Sequence, residues 1–335
     1  MLTASVIIPT FNRAHLIRRA LGSVLPQIAA EDEVIVVDDG SSDATEAVVR
    51  SLAHPRVRYV RQANAGAGAA RNRGVRESQG ALVAFLDSDD EWLPGKLELQ
   101  RRFMAARSDV LFCFTDFTRE MGFRQNRSIR YWSGDPRPWA EVFGPAQAYS
   151  ELARPPEEIG DCETYSGDIY LEEMRRNYIL TSCLMARRRE AADALHFGES
   201  LRTFEDWECF GRLAGRGPAG FLNCETAIQW AHAGPRLTDA DLFACAESRL
   251  AILEHVWGRD DAFLRNHGDE FRRLVRQQTL LKIRGLLVLG RARQARRVLR
   301  QVDGPPAIYR ALSRLPGGLL ARLLRLRRRL HRDAR

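Results

Sequence analysis

Ala81 to Leu86 places six apolar residues in a row, and Asp87, Ser88, Asp89, Asp90 and Glu91 follow at once. A run this short cannot cross a bilayer and reads as a strand buried on both faces of a sheet. The carboxylates then fall at the strand's carboxyl end, the edge where open α/β sheets bind ligands. If the chain stays extended there, alternation puts Asp87 and Asp89 on the same side. Two converging carboxylates repel and need a cation. They suit Mg2+ or Mn2+, which prefer oxygen ligands and accept phosphate oxygens as the remainder. The competing reading is a solvated acidic turn, with Asp90 capping a helix that starts near Glu91.

The surrounding pattern favours a ligand edge. Strands are expected at residues 4–9, 33–37, 57–60 and 81–86, and helices at 14–25 and 44–52. A small-residue loop, Asn64 to Gly74, runs into a further helix. This alternation predicts an α/β fold, a mostly parallel sheet flanked by helices. Polar residues follow each strand: Thr10 to Arg13, Asp38 and Asp39, Asn64 to Arg71, and Asp87 with Asp89. In a parallel sheet all four groups share one rim. No G-x-G-x-x-G follows the first strand and no G-x-x-x-x-G-K-[ST] occurs, which argues against an ordinary dinucleotide fold and a P-loop.

The 335 residues suffice for two domains, or for one large domain with an appendage. No run approaches the ~20 apolar residues of a membrane span. The first residues lack a basic region and a cleavage site, so the expected location is the cytoplasm. The six cysteines form no C-x-x-C pair, which predicts reduced thiols and neither a zinc ribbon nor a disulfide framework. The net charge of +8 is carried almost wholly by arginine and concentrates late in the chain. That pattern speaks for an interaction tail and against a uniformly basic nucleic-acid surface.

Four linked motifs carry a resemblance. Ser5 to Arg13 (SVIIPTFNR), Val34 to Asp43 (VIVVDDGSSD), Asn64-x-Gly66 with Ala70-Arg71-Asn72-x-Gly74, and Phe85 to Asp90 (FLDSDD) are similar in order and spacing to family-2 glycosyltransferases of the GT-A fold. The resemblance covers residues 4–115 and resumes over 179–213. It implies a GT-A nucleotide-diphospho-sugar transferase fold and a donor site. Pro9 and Phe11 would wall the nucleobase, with Arg13 at the rim. Asp39 would accept a hydrogen bond from the base, usually uracil, and Asp38 would support the turn. Asn64 and Arg71 would face the donor, Arg71 balancing the carboxylates or a phosphate, or else pairing only with Asp89. Asp87, with Ser88 beside it, would reach the ribose or the metal, and Asp89 would coordinate Mn2+ or Mg2+ together with the diphosphate.

Residues 109–117 read as another strand. The stretch 118–178 is then long for a connection and rich in Trp and Tyr, an insertion that is either a lid over the acceptor region or a segment packed by its own aromatics. Ile179 to Arg187 resembles the family's strand before the acceptor site. Glu205 and Asp206 precede a helix at Trp207 to Ala214, where the helix dipole favours a carboxylate. The resemblance makes Asp206 the catalytic base of an inverting transfer, and His232, on a last strand at 226–232, a ligand of the metal; Arg236 is a weaker phosphate candidate. From Asp239 the pattern is helical, at 242–256, 261–289 and 291–301. A final segment, 319–332, sets its leucines mostly on one face and its arginines opposite, which suits either an anionic membrane or a protein core.

The expected organisation is a GT-A domain over 1–237 and an α-helical C-terminal region over 238–335. The expected function is an inverting, metal-dependent transfer of a sugar from a nucleotide-diphosphate donor, UDP-linked, to a glycan or lipid-linked acceptor of cell-surface polysaccharide synthesis. Peripheral contact with the inner membrane face would run through the C-terminal helix; nucleic acid is not an expected partner. Two alternatives compete. A sugar-nucleotide nucleotidyltransferase would want a Gly-rich, Lys-containing signature that Ile7 to Arg13 lacks. A noncatalytic nucleotide-sugar-binding or assembly protein would have lost Asp39, Asp89 or Asp206.

Overall fold

A computed structural model describes residues 2–120, 125–201, 203–231 and 241–314. His232, Arg236 and the segment 319–332 lie outside the described residues. The chain divides into two compact units, 1–199 with 205–233, and 200–204 with 234–335.

The first unit is built on one sheet. Its opening strands are β1 (Ala4–Thr10), β2 (Glu33–Asp38), β3 (Val57–Arg61) and β4 (Leu82–Phe85), separated by helices α1 (Ile17–Val24), α2 (Thr45–Ser51) and α3 (Ala67–Glu77). β1 pairs in parallel with β2 and β4, and β2 with β3, so the four carboxyl ends share one rim. The apolar strands β1 and β4 are buried along their whole length, as expected of central strands covered on both faces. α3 lies close on β1 because Gly74 has no side chain: a Cβ there would stand 2.3 Å from Ile7 Cγ2.

After β4 the chain turns. The Asp90 amide donates to the Asp87 carbonyl at 3.0 Å, so residues 87–89 form a turn and not an extended strand. Asp90 does not cap a helix. It is buried and opens a short strand, β5 (Asp90–Trp92), while the next helix, α4 (Lys96–Ala106), starts after Gly95.

The sheet then departs from the mostly parallel expectation. β6 (Phe112–Glu120), β7 (Gln125–Arg127), β8 (Ala146–Ala148), β9 (Glu163–Gly167), β10 (Met185–Arg187) and β11 (Ala219–Trp230) complete it, with the order β3-β2-β1-β4-β10-β6-β11-β9-β8. β10 runs antiparallel to both β4 and β6, which makes the sheet mixed. Residues expected as one strand at 179–187 split into a 3-10 turn at Thr181–Cys183 and the short β10. The turn sets Ser182 against the loop after β4, a placement that local propensity does not encode.

Within the insertion lie α5 (Ser128–Ser133), α6 (Trp139–Phe143) and α7 (Tyr170–Arg175). Its aromatics favour the packing alternative: Trp139, Phe143, Tyr149, Tyr165 and Tyr178 are buried, and Phe143 meets Phe221 of β11 at 4.9 Å between ring centroids. Trp132 and Tyr170 are half-buried, and Tyr131 is 59% exposed. Two further helices, α8 (Arg188–Ala191) and α9 (Glu205–Arg216), finish the unit.

The second unit holds α10 (Leu242–Val256), α11 (Asp261–Val288), α12 (Ala292–Leu299) and α13 (Ala307–Arg314). Side chains of Asp241 and Asp260 cap α10 and α11 by accepting the Ala244 and Phe263 amides, each at 2.9 Å. α10 and α11 pack at Gly285, where a Cβ would meet the Phe243 nitrogen at 2.6 Å. Among the described residues no helix is long and apolar enough to cross a membrane.

Candidate active site

The rim formed by β1 to β4 carries the residues singled out from the sequence. Pro9 is buried in β1, and Phe11 just beyond it is 45% exposed, an unusual position for a large apolar ring. The Phe11 to Ala14 turn is sewn to the loop after β2. The Asn12 amide donates to Ser41 Oγ (2.8 Å), the Arg13 amide to Thr45 Oγ1 (3.1 Å) and the Ala14 amide to Asp43 Oδ2 (3.1 Å).

Asp38 and Asp39 divide their work. Asp38 is fully buried and supports the turn, accepting the Ser41 amide at 2.7 Å and the Tyr59 hydroxyl. Asp39 Oδ1 accepts from Gln62 Nε2 (2.8 Å) and the Ala65 amide (2.9 Å), and Oδ2 from the Gly66 amide (2.7 Å). Asn64 Nδ2 donates to the Asp39 carbonyl at 3.0 Å. Asp39 therefore moulds the loop that leads into α3. Gly40 permits this approach: it has a φ of +83°, and a Cβ would lie 3.0 Å from the Asn64 nitrogen.

Arg71, on α3, is the centre of the charged cluster. Its side chain is 6% exposed, with one amino group donating to Asp87 Oδ1 at 2.6 Å and the other to Glu205 Oε1 at 2.8 Å. The guanidinium also lies over the Phe197 ring, 5.2 Å from its centroid. Arg71 thus balances two carboxylates, Asp87 and Glu205, which sets aside the alternative of a pairing with Asp89 alone. Burial opposes its charge, but the two carboxylates hold its pKa raised.

Asp206 follows Glu205 in the first turn of α9. Its Oδ1 accepts its neighbour Trp207's amide at 2.8 Å, and Oδ2 faces the Thr181 hydroxyl at 3.4 Å. Burial, then the neighbouring Glu205, pushes its pKa up to about 7, against the opposing pull of Arg71. Asp87 is also raised, by burial first and by Asp89 further, with Arg71 opposing. The cluster is therefore rich in negative charge, a setting that favours a cation. Among the described residues, no three His, Cys, Asp or Glu side chains are placed to hold a metal by themselves. Any ion would need further oxygens, such as those of a diphosphate.

Sequence patterns had not pointed to three supporting residues. Ser182 joins both sides of the acidic turn: its hydroxyl donates to Asp90 Oδ2 (2.6 Å) and accepts the Asp87 amide (3.1 Å), and its carbonyl accepts Trp92 Nε1 (2.8 Å). Glu205 had been noted only as Asp206's neighbour, yet it anchors α9 to Arg71. Glu173 on α7 is fully buried within electrostatic reach of Asp206. Its carbonyl accepts Trp207 Nε1 at 2.9 Å, one oxygen takes the Tyr178 amide at 3.4 Å, and Oε1 has no partner among the described residues. The one sequence signal for Glu173 is a carboxylate within an otherwise packed stretch.

Comparison with known proteins agrees with this geometry. A family model described as Glycosyl transferase family 2 matches residues 5–192. The chain is 32% identical over 225 residues to the succinoglycan biosynthesis protein ExoO of Rhizobium meliloti, covering 64% of this chain and 59% of that protein. It is 37% identical over 114 residues to the UDP-Glc:alpha-D-GlcNAc-diphosphoundecaprenol beta-1,3-glucosyltransferase WfgD of Escherichia coli, covering 34% of this chain and 45% of that one. The chain thus spans less than two thirds of the length of these curated relatives. Among solved structures, S. aureus TarS 1-349 in complex with UDP-GlcNAc superposes with a TM-score of 0.60 at 19% identity, covering 97% and 92% of the two chains. The mannosyltransferase PcManGT from Pyrobaculum calidifontis, in complex with GDP-Man and Mn2+, gives 0.54 at 18%, covering 96% and 79%. At such identities these likenesses establish the fold, which is the GT-A arrangement with added C-terminal helices.

Glu173 generates a prediction. Burial raises its pKa well above the ordinary 4.5, so the folded chain holds this proton more tightly than the unfolded chain. Stability is therefore lost as pH climbs above the ordinary value towards the raised one. Glu173→Gln removes that dependence, and its melting temperature should gain on the wild type as pH rises above the ordinary carboxyl range. A difference that stays flat with pH would mean that Glu173 ionises like a surface carboxyl.

Proposed function

This chain belongs to glycosyl transferase family 2, and from that premise we propose that it moves a sugar from a UDP-linked donor to a hydroxyl of a glycan or lipid-linked acceptor in polysaccharide synthesis, with inversion at the anomeric carbon. The observation that carries the reading is Asp206. Its pKa is raised to about 7, and its neighbour Glu205 is tied through Arg71 to Asp87 on the donor rim. A general base works best with a pKa near the operating pH.

In the proposed reaction the acceptor oxygen attacks the anomeric carbon and its proton passes to Asp206. The bond from that carbon to the diphosphate oxygen breaks, and the electron pair leaves with the nucleoside diphosphate. On the donor rim, the exposed Phe11 ring and Pro9 wall the nucleobase, Arg13 and Asn64 border it, and Asp39 accepts from it. Asp87 and Ser88 face the ribose. Arg71 holds Asp87 and Glu205 in place and offers positive charge where the diphosphate departs.

A divalent ion, Mn2+ or Mg2+, fits the excess of carboxylate here. Asp89 would hold it together with diphosphate oxygens, and His232 would contribute from outside the described residues. Such an ion supplies charge neutralisation to the leaving diphosphate. Support for donor and ion comes from the UDP-GlcNAc named with TarS and the Mn2+ named with PcManGT. Support for the acceptor comes from the diphosphoundecaprenol in the WfgD name. A lipid-linked acceptor agrees with the basic amphipathic segment 319–332, which would bring the enzyme to an anionic membrane face.

Four measurements test this reading. Asp206→Asn should leave UDP binding intact while turnover falls at least about 10²-fold, and wild-type activity should decline as pH drops through the raised pKa of Asp206. Near-normal turnover in the variant would remove Asp206 from the base role. Calorimetric titration of UDP should show binding that needs Mn2+ and is lost in Asp89→Ala; equal affinity in both proteins, or with chelator present, would sink the metal assignment. Deleting residues 319–335 should lower partition onto anionic liposomes, and unchanged partition would leave the segment no membrane role.

A further inference from the structure

Two cysteines face each other far from the acidic rim in sequence and in role. Cys162 immediately precedes β9, and Cys224 lies within β11. The strands run antiparallel with Thr164 opposite Leu222. Just beyond that pair, Asn223 Nδ2 donates to Glu163 Oε2 at 3.1 Å, so the two chains stay side by side where β11 becomes irregular. Cys162 and Cys224 come next on the two chains, and their thiols interact. Neighbouring strands lie about 4.7–4.9 Å apart, which falls inside the span of about 4.4–6.8 Å between Cα atoms that a disulfide bridges. Both residues are half-buried and both thiols are free.

We propose that Cys162 and Cys224 form a thiol–disulfide exchange site that takes a low-molecular-weight disulfide of the glutathione type. Cys162 is the attacking sulfur. The neighbouring Cys224 thiol lowers its pKa, while Cys162, followed by burial, raises that of Cys224. Asp161 and Glu163 oppose the Cys162 thiolate, and Lys96 and Asp116 face Cys224. Elsewhere in this unit, burial pushes the thiols of Cys113, Cys183 and Cys209 up to about 12, which leaves them unreactive.

The exchange balances in two steps. The Cys162 thiolate attacks one sulfur of the small disulfide, the S–S bond breaks, and one small thiolate leaves and takes a proton from solvent. Cys224 then loses its proton and attacks the Cys162 sulfur of the mixed disulfide, releasing the second small thiol. The protein dithiol is oxidised by two electrons and the small disulfide is reduced to two thiols. The new bond ties β9 to β11 beside the Cys162 carbonyl, which accepts the Tyr149 amide at 2.8 Å.

The test is incubation of the full chain with oxidised glutathione, followed by thiol counting after denaturation and mapping of cross-linked peptides. Of the six thiols, two should disappear, with a 162–224 cross-link that a dithiol reductant reverses. Cys224→Ser should stop at a mixed disulfide and keep one glutathione on Cys162, whereas Cys162→Ser should keep none. Retention of all six thiols in the wild type, a cross-link between another pair, or identical behaviour of the two serine variants would overturn the proposal. The wild-type measurement stands alone if either variant fails to fold.

Discussion

The Arg71 guanidinium is the contact on which the rest of this site depends. A buried cation is tolerated only where carboxylates surround it, and Arg71 draws Asp87 from the sheet rim and Glu205 from α9 into one cluster. The two partners lie on elements that no local interaction would bring together. Burial, and then the charge of Glu205 beside it, raises the pKa of the next residue, Asp206, against the pull of Arg71. Charge pairing at one residue thereby sets the chemistry available at its neighbour.

Around this pair the fold uses backbone and hydroxyl groups to fix acidic side chains that would otherwise repel. Ser182 holds the Asp87 amide and the Asp90 carboxylate from one hydroxyl. Asp39 accepts two amides of the loop that starts α3. Such bonds cost little to form in place and leave Asp87 and Asp89 close together. On that rim Asp87 feels the opposing charges of Arg71 and Asp89 at once. Glu173 adds a constraint from the insertion: its carbonyl ties α7 to Trp207 at the start of α9. The insertion thus reaches the candidate site through α7.

Much of the first unit was legible in the chain. The apolar runs at 4–9, 33–37 and 81–86 could be nothing but buried strands, and their spacing forced helices between them. The carboxyl-end placement of Asp39, Asp87 and Asp89 followed from that alternation. The helices α10, α11 and α12 emerged within a few residues because their caps and periodicity are local. The alternative that makes Asp90 a helix cap fails for a long-range reason: Asp90 lies in β5, which pairs with β11 more than 130 residues away, where Gln229 lies opposite. The strand expected over 179–187 is broken for the same reason, since Ser182 is held by Asp87, Asp90 and Trp92, all at least 90 residues away in the chain.

The sequence by itself determined the α/β alternation, the shared rim of polar residues and the family to which the motifs belong, because each rests on periodicity or short-range spacing. Only the tertiary structure decided which carboxylate is paired and which is left to titrate near neutrality. Arg71 and Glu205 meet across 134 residues, and desolvation exists only once the chain has closed around them. The antiparallel insertion of β10, the packing of the aromatic segment and the meeting of Cys162 with Cys224 belong to the same class. Each is a long-range contact whose energy depends on burial, and burial is a property of the whole fold.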